Sequence, residues 1–212
     1  MNVIKTTQSD ISAVAQSHIL AFPSSVSSKM GRRFCEKMTE WFIVNERGCI
    51  FHIIDNDNNV AGYVSLIKTN RKGQPGSFTC ITQYAKKTIV FALIRKPWLM
   101  ASPIFKEKRK AIIRNIKYIL FRKSPNVVVY NNKDIFEPSI GIVGIGVVPC
   151  YQGKGYGSKL IQVAKEYAKK EGYKELSLSV NKHNNQAIKA YHRNGFLDMS
   201  TGEEIIMKAQ LI

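Results

Sequence analysis

Val147-Val148-Pro149-Cys150-Tyr151-Gln152-Gly153-Lys154-Gly155-Tyr156-Gly157 is the stretch that decides how the chain folds. Ahead of it, Ile140 to Val148 is short, apolar and rich in β-branched residues, the pattern of a buried strand. Pro149 ends that strand because it has no N–H to give the ladder. Gly153, Gly155 and Gly157 then stand at alternate positions. Glycine adopts left-handed angles at no steric cost, so the three are expected to turn backbone amides toward one point. Behind them Leu160, Ile161, Val163, Ala164, Tyr167 and Ala168 recur at helical spacing with Lys and Glu on the other side, an amphipathic helix ending at Gly172. Strand, glycine loop and helix N-terminus in this order present free N–H groups and a positive dipole end to a phosphorylated ligand.

Two common phosphate loops fit poorly. A Walker loop ends in Gly-Lys-Ser/Thr, whereas this one reads Gly157-Ser158-Lys159. A dinucleotide fingerprint has Gly-x-Gly-x-x-Gly and an acidic residue closing a second strand about 20 positions on, and neither is present. The spacing that stands is Gln152-x-x-Gly155-x-Gly157. Downstream, Lys174 to Val180 alternates polar and apolar as a strand does, and Asn184 caps a helix carrying Ala187, Ile188 and Tyr191 on one face, with Gly195 just past its end. Gln-x-x-Gly-x-Gly followed by Asn184-x-x-Ala187-x-x-x-Tyr191-x-x-x-Gly195-Phe196 resembles the GNAT acetyltransferase superfamily. The resemblance is close from Ser139 to Ile212, loose from Val3 to Leu66, and absent between. It implies an α/β (α+β) fold: a mixed, twisted, V-splayed central sheet with helices on both faces.

At 212 residues and 44% hydrophobic content, one globular domain with a full core is expected. Cys35, Cys49, Cys80 and Cys150 are scattered, with no Cys-x-x-Cys and no paired His, which argues for reduced thiols and against a zinc site. The N-terminus lacks the apolar core of a signal peptide, and no apolar run reaches the ~18–20 residues of a membrane span. A cytoplasmic protein is expected, with association at the inner membrane surface open.

The first strand is expected at Asn2 to Thr6, then a helix capped by Ser9 or Asp10 with Val14, His18 and Phe22 on its apolar stripe. His18 reads as a satisfied helix histidine in preference to a catalytic one. After the loop Phe22-Pro23-Ser24-Ser25, a second helix buries Met30, Phe34, Met38, Trp41 and Phe42. In a GNAT-like layout that loop would edge the acceptor pocket. Asp55 to Asn59 forms the turn of a hairpin. A calcium loop is excluded there, since Val60 and Leu66 stand where Gly and Glu are needed.

Residues 71 to 124 carry fourteen Lys and Arg against one acid, Glu107, which is +13 of the chain's +17. An inserted, basic, helical segment at about 71–136 is expected, with helices at Thr88–Arg95 and Phe105–Arg122. Four roles stay open for it: a solvated basic face, a rim that attracts an anionic acceptor, a surface for anionic membrane, or, least favoured because no motif accompanies the charge, nucleic-acid binding.

By resemblance, acetyl-CoA is the co-substrate. The backbone of Ile145, Gly146 and Val147 would pair with its pantetheine arm, with Gln152 in the loop and the amides of Gly153, Lys154, Gly155, Tyr156, Gly157 and Ser158 on its pyrophosphate. Asn184 would hydrogen-bond the arm. Tyr191, a phenol that stays neutral at pH 7, would protonate the leaving thiolate. Family members that carry a glutamate base place it where this chain has Gly141 and Ser179, leaving Glu137 as the nearest carboxylate. A lysine amine with pKa about 10.4 needs strong help to lose its proton, and one near the α-amino value of about 8 needs little. The missing base therefore favours a small amine such as a nucleotide- or lipid-linked amino sugar. A protein N-terminus or lysine, an aminoglycoside, or a non-catalytic CoA-binding or membrane-surface module are the alternatives. The C-terminal strand from Glu204 would suit pairing in a homodimer.

Overall fold

The computed structural model describes residues 2–101 and 137–211. The helix expected at Phe105–Arg122 lies outside them. In chain order the elements are β1 (Asn2–Lys5), α1 (Ile11–Ala21), α2 (Val26–Met30), α3 (Arg32–Val44), β2 (Gly48–Ile54), β3 (Val60–Thr69), α4 (Ser77–Tyr84), α5 (Lys86–Arg95), β4 (Ser139–Val147), α6 (Tyr156–Lys170), β5 (Glu175–Asn181), α7 (Asn185–Arg193), β6 (Leu197–Asp198) and β7 (Glu204–Gln210). The strands form a sheet in the order β1-β2-β3-β4-β5-β7-β6. Every pairing is antiparallel except β4 with β5.

The parallel pair shapes the molecule. β4 and β5 register only through Ile140–Leu176, Gly141–Ser177 and Ile142–Leu178. At the next residue β4 bulges: Ser65 faces Gly144 and Leu66 faces Ile142, so Val143 has no partner on β3. An extra residue bends a strand and increases its local twist. From here β4 stays with β3 while β5 continues with β7, and the sheet opens into a V.

Alternation along the strands gives the sheet two apolar faces. On one, Val64, Leu66, Ile140, Leu176, Leu178 and Met207 pack against Leu160, Ile161, Ala164 and Ala168 of α6, and Ala187 and Ile188 of α7 lean on this core. On the other, Ile50 and Tyr63 pack against Val14 of α1, Phe34, Trp41 and Phe42 of α3, and Ile81, Ile89 and Ala92 of α4 and α5. Leu160 is wholly buried, so Leu160→Ala would cost about 3 kcal/mol.

Several boundaries differ from expectation. Gly31, at φ 102°, separates α2 from α3, so Met30 belongs to its own short helix. Asp10 makes no cap bond to α1. Its carboxylate instead accepts from the Thr7 N–H and hydroxyl, closing a 3-10 turn. β7 pairs with β5 along its length and takes β6 on its other side, which shortens the edge left for a second copy. The helix expected at Thr88–Arg95 is α5, two residues longer at its N-terminal end, from Lys86. Among the described residues no helix is long and apolar enough to cross a membrane.

Candidate active site

The glycine loop leaves β4 through a 3-10 turn at Pro149–Tyr151 and enters α6 at Tyr156. Gly153 and Gly155 hold φ of 75° and 84°, where a side chain is strained, although a Cβ at either would meet open space. Gly157 does not share this role. It lies inside α6 with an ordinary helical φ, and a Cβ there would make only a 3.8 Å contact with Val147 Cγ2. Among the described residues, the backbone N–H groups from Gly153 to Ser158 donate to nothing, and the first helical bond into the loop is Lys159 N–H to Gly155 O, 3.1 Å. Six free donors at the positive end of a 15-residue helix make an anion cradle. Two side chains fix its pose. Gln152 donates from Nε2 to Val147 O at 3.0 Å, and Tyr151 donates to Asp55 Oδ2 at 2.6 Å, tying the loop to the β2–β3 turn. Lys154 lies over the Tyr151 ring, and the Tyr156 side chain is buried in the α6 core.

The register shows which strand groups face the opening. Val148 N–H donates to Ala61 O, 2.9 Å, so Val147 and Gly62 form a non-hydrogen-bonded pair. By alternation Ile145 is of the same kind, and Gly146 exchanges both its bonds with Tyr63. The N–H groups of Ile145 and Val147 and the carbonyl of Ile145 therefore point into the V. Gly146 does not contribute to that edge as expected. Its place is steric: a Cβ there would lie 2.6 Å from Phe22, so only glycine lets the end of α1 lie against β4.

Asn184 caps α7, its Oδ1 accepting from Ala187 N–H at 3.2 Å, which leaves its Nδ2 to donate elsewhere. Asn194 Nδ2 donates to Ser158 Oγ at 3.2 Å and its carbonyl accepts from Lys165 Nζ at 2.5 Å, so the end of α7 is pinned to the first turns of α6. Tyr191 sits one turn earlier, half-buried against Phe196. Burial raises its pKa, which keeps the phenol protonated.

Glu137 is elsewhere. It precedes β4, paired at 3.5 Å with Lys174 on the surface, and eight residues of strand separate it from Ile145, roughly 25 Å. A carboxylate the sequence did not single out stands beside β5: Glu204 of β7 accepts from Ser179 Oγ at 3.0 Å.

A cavity of about 200 Å³ opens on the opposite side of β4, beside the bulge. Val143 and Gly144 form its floor, and Val14, Met38, Phe42 and Ile50 supply apolar walls. His18, Ser27, Thr39, Tyr63 and Ser65 add neutral polar groups. His18 bonds Tyr63 OH through Nδ1 at 2.6 Å and Ser27 Oγ through Nε2 at 2.7 Å. Burial lowers its pKa to about 4, so the ring is neutral. It is satisfied, as the sequence suggests. Its partners were not foreseen, because Tyr63 sits in an apolar strand run and Ser27 in a short helix on a separate element. The available signal was Tyr63 and Ser65 alternating on one face of β3. Among the described residues no cluster of three His, Cys, Asp or Glu side chains could hold a metal.

Residues 118–196 match the Acetyltransferase (GNAT) family. Over that stretch the chain is similar to the GNAT acetyltransferases. Over 50 residues, 24% of this chain, it is 42% identical to an uncharacterized N-acetyltransferase, YhfO, of Bacillus subtilis (strain 168), and that match spans 34% of the relative's length. Solved N-acetyltransferase structures share the fold. An N-acetyltransferase from Staphylococcus aureus Mu50 superposes with TM-score 0.58 at 14% identity, covering 100% of this chain and 98% of the other. The ribosomal-protein-S18-alanine N-acetyltransferase from Escherichia coli gives 0.55 at 17%, covering 99% and 93%. The PaiA N-acetyltransferase from Thermoplasma acidophilum, solved in complex with coenzyme A, gives 0.54 at 13%, covering 99% and 98%.

Proposed function

We propose that the chain transfers an acetyl group from acetyl-CoA directly to a primary amine. The observation that carries this is the run of six free N–H groups from Gly153 to Ser158 at the start of α6, beside a strand edge that the V leaves unpaired. The loop amides take the pyrophosphate. Ile145 and Val147 offer the pantetheine arm a β-like edge, and the Asn184 amide, half spent on its cap, has donors left for it. This leads the thioester to the bulge at Val143, where the cavity meets β4. The amine attacks the thioester carbon, the C–S bond breaks, and Tyr191, held neutral by burial, gives its proton to the thiolate.

The cavity favours a small amine. It is about 200 Å³, smaller than a drug-sized site, and among the described residues its lining holds no charged side chain. Lys29, Arg33, Lys86, Lys87, Arg95 and Lys96 on or beside the flanking helices add positive charge to that face, while Arg32 and Lys37 are paired with Glu36 and Glu40. An amine on a small hydroxylated body with an anionic remainder, such as a nucleotide- or lipid-linked amino sugar, meets both features. The test is thiol release from acetyl-CoA across amino-sugar nucleotides, aminoglycosides, peptides and polyamines. Turnover confined to one class names the acceptor, and failure to bind CoA ends the proposal.

One surface favours an added membrane contact. Ile94 and Trp98 are 73% and 64% exposed, next to Phe91 and the cations Lys86, Lys87, Arg95 and Lys96. Sedimentation with vesicles containing phosphatidylserine should capture the protein, and Trp98→Ala should release it. Equal binding to neutral vesicles would exclude this role.

A further inference from the structure

We infer that Tyr63, His18 and the serines at the start of α2 form a proton relay that carries the acceptor's proton from the cavity to the surface, in place of a carboxylate base, which Gly141 and Ser179 do not supply. The inference rests on the acetyl-transfer reading above. The Tyr63 hydroxyl stands at the reacting end of β4, since a Cβ on Gly144, directly after the bulge, would be 3.4 Å from it.

The hydrogen bonds run in one direction. Ser25 Oγ donates to Ser28 Oγ at 3.0 Å. With its single hydrogen used, Ser25 accepts from Ser27 Oγ at 2.9 Å. Ser27 is thereby also committed as a donor, so it accepts from His18 Nε2 at 2.7 Å. The proton of the ring is then on Nε2, and Nδ1 accepts from Tyr63 OH at 2.6 Å. The Tyr63 oxygen is left with lone pairs for the cavity. As the C–N bond forms, the amine proton passes to Tyr63 O while the Tyr63 proton moves to His18 Nδ1. The Nε2 proton passes through Ser27 and Ser25 to Ser28 and leaves to water. One proton is lost by the amine and one is gained by solvent, solvent returns one to Tyr191, and every relay member ends with the number it began with.

A relay must not trap its proton. His18 suits this, because a buried neutral imidazole gives up an added proton readily. The titratable neighbours are few. Cys35 of α3 donates to Ser27 O, and burial pushes its thiol up to about 12. Glu36 is paired with Arg32 at 3.0 Å. β4 contributes no titratable side chain to the cavity.

Two measurements test the relay. The first is the ¹⁵N spectrum of the His18 ring in the purified protein, assigned with His18→Gln. The proton is expected on Nε2, and a proton on Nδ1 would overturn the relay. The second is the rate with the fastest amine of the panel. Tyr63→Phe should lower kcat by roughly 10²-fold at unchanged KM for acetyl-CoA, with the deficit narrowing between about pH 7 and 9 as water and hydroxide take over. Ser27→Ala should lose less, and Glu204→Gln should keep most of the rate. Wild-type kcat in Tyr63→Phe with loss in Glu204→Gln would assign the base to Glu204. Failure to bind CoA strikes the transferase reading and leaves the ring tautomer as a separate result.

Discussion

The two faces of the sheet offer polar groups of different kinds. On the α6 and α7 face the proposed donors are backbone amides, from Gly153 to Ser158 and along β4. On the α1 to α5 face the cavity is made by side chains from separate elements: His18 of α1, Ser27 of α2, Tyr63 of β3 and Gly144 of β4. A backbone site constrains sequence at the few positions where only glycine or a cap will serve. A side-chain site constrains contacts between residues far apart in the chain, here 45 residues between His18 and Tyr63.

The sharpest way to break this contrast is Tyr191→Phe, at the side chain proposed as the acid on the backbone-built face. Loss of a positioned acid should reduce kcat by about 10²-fold or more with acetyl-CoA affinity unchanged, measured by steady-state kinetics beside direct CoA titration. A change in KM alone would make Tyr191 a packing residue.

Next in size is the acid sensitivity of the cavity face. Burial depresses the His18 pKa from 6.5 to about 4, so between these values the unfolded chain binds the proton and the folded chain does not. Stability present above pH 6.5 is lost as pH falls toward 4, about 2–3 kcal/mol by pH 4.5. Urea melts should show this slope in the wild type and a shallower one in His18→Gln. An equal slope in both would place the sensitivity in another group.

Gly155 and Gly157 then separate strain from ligand space. Gly155→Ala forces a side chain to φ 84° and should cost about 1–2 kcal/mol of stability as well as CoA affinity. Gly157→Ala adds only a 3.8 Å contact and should melt like the wild type. If CoA passes over the first turn of α6, its affinity should still fall, roughly tenfold. Unchanged affinity would move the pyrophosphate toward Gly153.

These pairs show what the sequence could and could not reveal. Gly153 and Gly155 were legible because their left-handed angles leave few other residues acceptable. Gly157 looked the same and is not, since a one-dimensional pattern does not distinguish a glycine needed for φ from one that clears space. The turn at Asp55 was legible because its carboxylate accepts locally, from Asp57 and Asn59 N–H. Glu137 misled because nearness in sequence to β4 is distance in space once the strand is extended. Gly31 was missed because the apolar stripe continues from Met30 to Phe34 across the break. Glu204 and Tyr63 were missed because their relevance exists only after β5 and β4 part.

The smallest effect links the two faces. Tyr151 belongs to the glycine loop and Asp55 to the β2–β3 turn, so their 2.6 Å bond sets where the loop sits on the sheet. The same bond holds the Asp55 carboxyl below the usual range and raises the Tyr151 phenol to about 12. Both groups are solvent-exposed enough that screening limits what the bond contributes. Tyr151→Phe should therefore leave the fold and kcat intact and raise KM for acetyl-CoA by about threefold, the consequence of a less rigid cradle. Asp55→Asn should do the same, and the double variant should be no worse than either alone. Additive losses would mean that the two residues act on the cofactor separately, and the loop would then owe its pose to Gln152 and Val147.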